Sequence, residues 1–275
     1  MVSNAWDSTQ WCGCVYGNPG TKKTFFAASM PKPAKVFMFD PPAKGLAYLQ
    51  QGHAGPLEWM EDGGGFQFVT DPESKQVLVE LEYFSDKNPM GIGQQKYPCA
   101  YERFQSSLMT HMAEGWLMQD GVTAFKSVIL DSYTFCELAC MRLQQYKLNP
   151  APGGVQDSKH NQMQWAGMAR GVLQVDLLAV LPFITPCHVC VLAHVDAQRF
   201  DQQEKSLWGI SAVGQLKGMV LGAFPEVYYM YTAWNDQTKK ADSWLMTETD
   251  GQFMAQTHVG ASNPCEPRWE ALWER

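Results

Sequence analysis

Residues 17–24, Gly-Asn-Pro-Gly-Thr-Lys-Lys-Thr, are of the types that hold a phosphate. Glycines let backbone N–H groups approach an anion, a lysine supplies a point charge, and a threonine hydroxyl can sit beside a metal ion. Against the spacing G-x-x-x-x-G-K-[ST], Gly17 is the first glycine, Lys23 the phosphate lysine and Thr24 the metal-side hydroxyl, with Asn18, Pro19, Gly20, Thr21 and Lys22 between. One position departs from the pattern: Lys22 stands where the second glycine belongs. A positive φ there costs a lysine about 1 kcal/mol or more, which a second ammonium beside a triphosphate would partly offset. A Gly/Pro turn with exposed lysines is the competing reading.

Three further residues end apolar runs at places where chemistry is done. Asp131 follows Ser127-Val128-Ile129-Leu130. It is either the Walker-B carboxylate that holds Mg²⁺ beside Thr24 or the cap of the next helix. Asp40 follows Val36-Phe37-Met38-Phe39 and precedes two prolines, and His194 closes the run that begins at Cys187. His194 reads as a polar sensor or as a histidine bonded to a nearby carbonyl. The pairs Cys12/Cys14 and Cys187/Cys190 have spacings that suggest metal. In strands, however, Cys12 and Cys14 share a face and Cys187 and Cys190 do not, so core thiols are expected rather than zinc.

These residues need elements to position them. An apolar strand before residue 17 and a helix-like run at 25–30 place the turn between strand and helix. Strands are read at 35–40, 66–69, 77–84, 124–130, 187–194, 226–232 and 243–247. Helices are read at 44–51, 101–118, 133–146 and 159–181. The segment 71–74 reads as a hairpin turn inside an insertion at 63–98. Residues 149–154 are a loop, 195–211 a polar stretch, and 250–251 a tight turn. Apolar strands alternating with helices indicate an α/β fold whose mostly parallel central sheet is covered on both faces, with ligands at the C-terminal ends of the strands.

At 275 residues and 30.9 kDa, one domain spanning 1–275 is expected. The net charge of -7 argues against binding nucleic acid by bulk charge, so any such contact would need a local strip. The first residues lack the basic-then-apolar order of a signal peptide. No run of about 18 apolar residues is present, so neither a membrane span nor a membrane partner is expected, and a cytoplasmic location is.

In their order, residues 15–24, 36–40, 127–134, 189–194, 214–218, 224–228 and 249–255 resemble the RecA-like core P-loop ATPases. Within that group they resemble the phage-encoded AAA-domain nucleotide-binding proteins that act as minimal recombinases or single-strand annealing factors. The resemblance spans about residues 11 to 260. It implies a three-layer fold with C-terminal antiparallel strands, ATP and Mg²⁺ as cofactors, and host cytoplasm as the compartment. It also implies a homo-oligomer that acts on single-stranded DNA in recombination, annealing or replication, with a single-strand-binding protein as a further partner. Lys23 and Thr24 match the phosphate lysine and the magnesium hydroxyl, and Asp131 matches the Walker-B acid. Asp40 falls where the family has a water-polarising glutamate, one methylene longer, and His194 falls at the γ-phosphate sensor. DNA contact would come from 149–159 and 195–217, with Arg199, Lys205, Trp208 and Lys217 as cation and stacking donors. Acids at 196, 201 and 204 nearly cancel that loop's charge, so a solvated loop is the alternative. Lys22 and Asp40 leave open a nucleotide-binding assembly subunit without turnover. A small-molecule kinase is a third class, for which no arginine-rich lid follows the sheet.

Overall fold

A computed structural model describes residues 10–40, 45–60, 64–86, 97–118, 121–148, 159–180, 187–199, 206–212 and 216–274. In chain order the elements begin with β1 (Cys12–Gly17), α1 (Lys23–Ala28), β2 (Ala34–Met38) and α2 (Leu46–Leu49). The short strands β3 (His53–Ala54) and β4 (Glu58–Trp59) lead to β5 (Gly65–Thr70), β6 (Val77–Tyr83) and α3 (Ala100–Glu114). Next come β7 (Ser127–Asp131), α4 (Tyr133–Leu148) and α5 (Lys159–Leu173), the last continuing as a π-helical stretch, Gln174–Val180. β8 (His188–Arg199), β9 (Ser206–Ile210), α6 (Leu216–Ala223), β10 (Glu226–Asn235) and β11 (Lys240–Met246) follow, and a 3₁₀ turn at Glu270–Trp273 closes the described chain.

The fold is α/β with a mixed sheet of 11 strands. Its centre, β10-β1-β8-β7-β2-β6, is parallel, as expected from strands buried on both sides. Its edges are antiparallel: β11 pairs with β10 on one side, and β5 with β6, β3 and β4 on the other. "Mostly parallel" therefore describes the centre alone. The β5–β6 hairpin falls in the region read as an insertion, and the Asp71 carboxylate closes its turn by accepting N–H bonds from Glu73 and Ser74.

Strand alternation sorts the apolar side chains into two cores. Cys12, Cys14, Tyr16, Phe37, Val128, Leu130, Val189 and Val191 pack with side chains of α3, α4 and α5 on one face. Val15, Val36, Met38, Ile129, Cys190 and Leu192 pack with α1, α2 and the C-terminal segment on the other. Cys12 and Cys14 share a core while Cys187 and Cys190 lie in different ones, as the two-residue period requires. Burial raises the Cys12 and Cys187 thiols to about 12, which keeps them protonated core groups.

The stretch at 195–211 departs from the sequence reading. β8 runs on to Arg199 and β9 returns beside it, from Val195↔Ile210 to Arg199↔Ser206, so a β-hairpin stands where a polar loop was expected. Residues 149–158 and 200–205, which include Lys205, lie outside the described residues. Among those described, no helix is long and apolar enough to cross a membrane.

Candidate nucleotide and metal site

β1, β2, β7 and β8 run parallel, so their C-terminal ends form one edge of the sheet. Gly17 pairs with His194 on one side of β1 and with Met230 on the other. Glycine at 17 has a packing reason: an added Cβ would stand 2.2 Å from the Met230 carbonyl oxygen. The turn that follows needs two left-handed residues. Gly20 takes φ 85° and Lys22 takes φ 69°, so the lysine adopts the conformation for which the motif reserves its second glycine.

At the head of α1, Lys23 is buried, and its ammonium donates to the carbonyl oxygens of Gly17 and Asn18, each at 2.9 Å. Those bonds satisfy a cation that burial would otherwise penalise, and they fold the turn back on itself. Thr21 Oγ1 adds a 2.8 Å bond to Asn18 O. Because α1 has only six residues, its dipole is a minor contributor, and the lysines are the main positive charge here.

The spatial test of the motif is whether Thr24 meets the acid at the end of β7. It does: Thr24 Oγ1 donates to Asp131 Oδ2 at 3.0 Å across 107 residues of chain. The two do not sit on neighbouring strands, because β8 lies between β1 and β7. Thr24 itself closes that gap, because α1 packs over the end of β8. Asp131 is thus engaged by a residue outside the helix that follows it, a contact that capping that helix would not require.

Asp131 is 2% exposed, and its carboxyl is raised to about 6. Burial is the main cause and the nearby Asp40 carboxylate the second, while hydrogen bonds from Thr24 and Tyr48 and the charge of Lys23 pull it back down. Asp40 comes close because the backbone after β2 is strapped to β7, with Phe39 N and Asp40 N reaching Asp131 O at 2.7 and 3.4 Å. Two buried carboxylates and a threonine hydroxyl are hard oxygen donors of the kind Mg²⁺ takes, so the residues fit that ion. Tyr48, on α2, was not singled out from sequence. Its fully buried hydroxyl donates to Asp131 Oδ2 at 3.1 Å, a contact for which a partner 83 residues away leaves no sequence signal.

Gly17, Lys23, Thr24, Asp40 and Asp131 therefore converge. His194 sits one ladder partner from Gly17, its N–H donating to Thr134 Oγ1 and its ring edge-on to Phe135 at 5.5 Å. The nucleic-acid candidates fare unevenly. Lys217 pairs with Asp196 at 2.7 Å, which neutralises it as a cation strip. Trp208 is half-buried and stacks on Phe253, which stacks in turn on Tyr229 at 3.8 Å, so its ring belongs to a column rather than standing isolated. Arg199 ends β8, on the β8–β9 hairpin. In comparisons with known proteins, no protein-family model and no curated protein matches the chain.

Proposed function

We propose that the chain is a RecA-like P-loop protein that binds ATP with Mg²⁺, hydrolyses it, and acts on single-stranded DNA in phage recombination, annealing or replication. The observation that carries this reading is the Thr24–Asp131 hydrogen bond, with Lys23 folded over the same turn. Support also comes from the left-handed backbone of Lys22, which keeps the turn's shape without its glycine.

In this reading Lys23 exchanges two carbonyl oxygens for phosphate oxygens, so it enters the site without having lost a water shell at the moment of binding. Thr24 and Asp131, already joined by their hydrogen bond, would hold the cation, Thr24 with its hydroxyl oxygen and Asp131 through water. When bound, Mg²⁺ supplies charge neutralisation at the β- and γ-phosphate oxygens. In this reading Asp40 would accept the proton of the attacking water and His194 would sense the γ-phosphate. The β8–β9 hairpin, with Arg199 and the Trp208 column, is the surface for a DNA strand, and neighbouring copies complete an oligomer.

One observation favours a second reading, a nucleotide-binding assembly subunit without turnover. Asp40 is a short carboxylate held by the backbone strap next to Asp131, which limits its reach to a water on the γ-phosphate. Phosphate release measured with ATP, Mg²⁺ and fluorescent single-stranded DNA at low salt separates the two. Turnover with nucleotide-dependent DNA binding is expected. Tight ATP binding with background phosphate release selects the second reading, and loss of both refutes the first.

A further inference from the structure

Tyr48 sits on a four-residue helix, and its ring lies in the core formed with Phe26, Ala27, Met38 and Leu81. A phenylalanine would fill that volume equally well. What the tyrosine adds is a hydroxyl that is wholly buried, and a buried hydroxyl must find an acceptor or cost free energy. The acceptor is Asp131 Oδ2, the same atom that Thr24 engages, so two hydroxyls from two helices converge on one carboxylate oxygen. Their duties differ. Thr24 stands in the first turn of α1, where its oxygen would be called on by a cation, whereas Tyr48 stands behind the carboxylate in the apolar core and has no such second task. A donor of that kind holds the carboxylate in one rotamer whether or not the cation is present.

We propose that Tyr48 is a positioning residue that fixes the Asp131 carboxylate for a hydrated magnesium ion, an inference that rests on the nucleotide-binding reading above. Outer partners of this sort set the orientation of a metal-binding group, and losing one typically weakens metal affinity about 10- to 100-fold. Here the nucleotide's phosphates would share in holding the ion, so the expected loss falls below that range, at about three- to tenfold.

The test measures the affinity of a fluorescent ATP analogue across a magnesium titration and in EDTA, for the wild type and Tyr48→Phe, with thermal melts of both. The expected result is a magnesium midpoint raised about three- to tenfold in Tyr48→Phe, with nucleotide affinity in EDTA unchanged. A purely packing role would move the melt or the EDTA affinity and leave the midpoint alone. The same exchange in an Asp131→Asn background should leave the magnesium dependence where that background alone puts it, because the hydroxyl then has no carboxylate to orient. An unchanged midpoint in Tyr48→Phe overturns the role of Tyr48 while leaving nucleotide binding intact. A wild type whose nucleotide affinity ignores magnesium overturns the site reading itself, and Tyr48's role with it.

Discussion

Asp131→Asn should make the nucleotide-free protein more stable while removing its magnesium response. The wild-type carboxyl rises from 3.8 to about 6 on folding, mainly through burial and then through Asp40. Each pKa unit corresponds to about 1.4 kcal/mol, so carrying this charge into the fold costs about 3 kcal/mol at neutral pH. The sign follows from the direction. The folded state holds the proton more tightly than the unfolded state, so stability falls as pH rises from about 4 to about 6 and the penalty is constant above that. Asparagine keeps an oxygen for Thr24 and Tyr48 to donate to and carries no charge to be repelled by Asp40. The gain should therefore be full at pH 7.5, about 3 kcal/mol or roughly 6 °C in melting temperature for a chain of this size, and should shrink toward zero near pH 4. Thermal melts in EDTA at several pH values measure it. A variant that melts lower than the wild type at pH 7.5 would show that the two hydroxyl bonds outweigh burial of the charge, and the account of Asp131 as a carboxylate buried at a cost would fail.

Lys22→Gly should raise stability by about 0.5–1 kcal/mol, because the left-handed backbone that costs a lysine is open to glycine and only part of that gain is returned as chain entropy. A lower melting temperature would show that the lysine side chain contributes more than its backbone costs. Lys35, on β2, bridges the buried Glu80 and Glu82 of β6 at 2.5 and 2.8 Å, so Lys35→Met should cost about 3–5 kcal/mol by leaving two carboxylates in the core with no cation between them. Denaturant titration checks this, and a loss below about 1 kcal/mol would mean that the carboxylates find other partners or protonate cheaply.

What could be read from sequence follows physical lines. The runs that became β1, β2 and β7 are apolar because both faces of the central strands are covered, so their ends, and the residues Gly17, Asp40 and Asp131 there, could be placed from one dimension. The hairpin after His194 could not. Its strands are polar in sequence, with residues such as Asp196, Gln198 and Arg199 that read as a loop, and the pairing of β8 with β9 leaves no local apolar signal there. Strand order was equally hidden: nothing local tells β8 to insert between β1 and β7, yet that insertion sets how far α1 must lean for Thr24 to reach Asp131. Lys22 was legible as a cost but not as a solution, since only the backbone angle shows that the turn keeps its shape around a lysine. Lys217 was legible as a cation and Asp196 as one of the acids that offset the loop's charge, but the pairing of these two across 21 residues was not.

The most direct measurement of the central claim is a crystal structure with Mg²⁺ and a non-hydrolysable ATP analogue. The account predicts the phosphates in the 17–24 turn, Lys23 Nζ released from the Gly17 and Asn18 carbonyls onto them, and Thr24 Oγ1 about 2.1 Å from the metal with Asp131 still accepting its proton. Phosphates bound elsewhere, with Lys23 still on its two carbonyl oxygens, would contradict it.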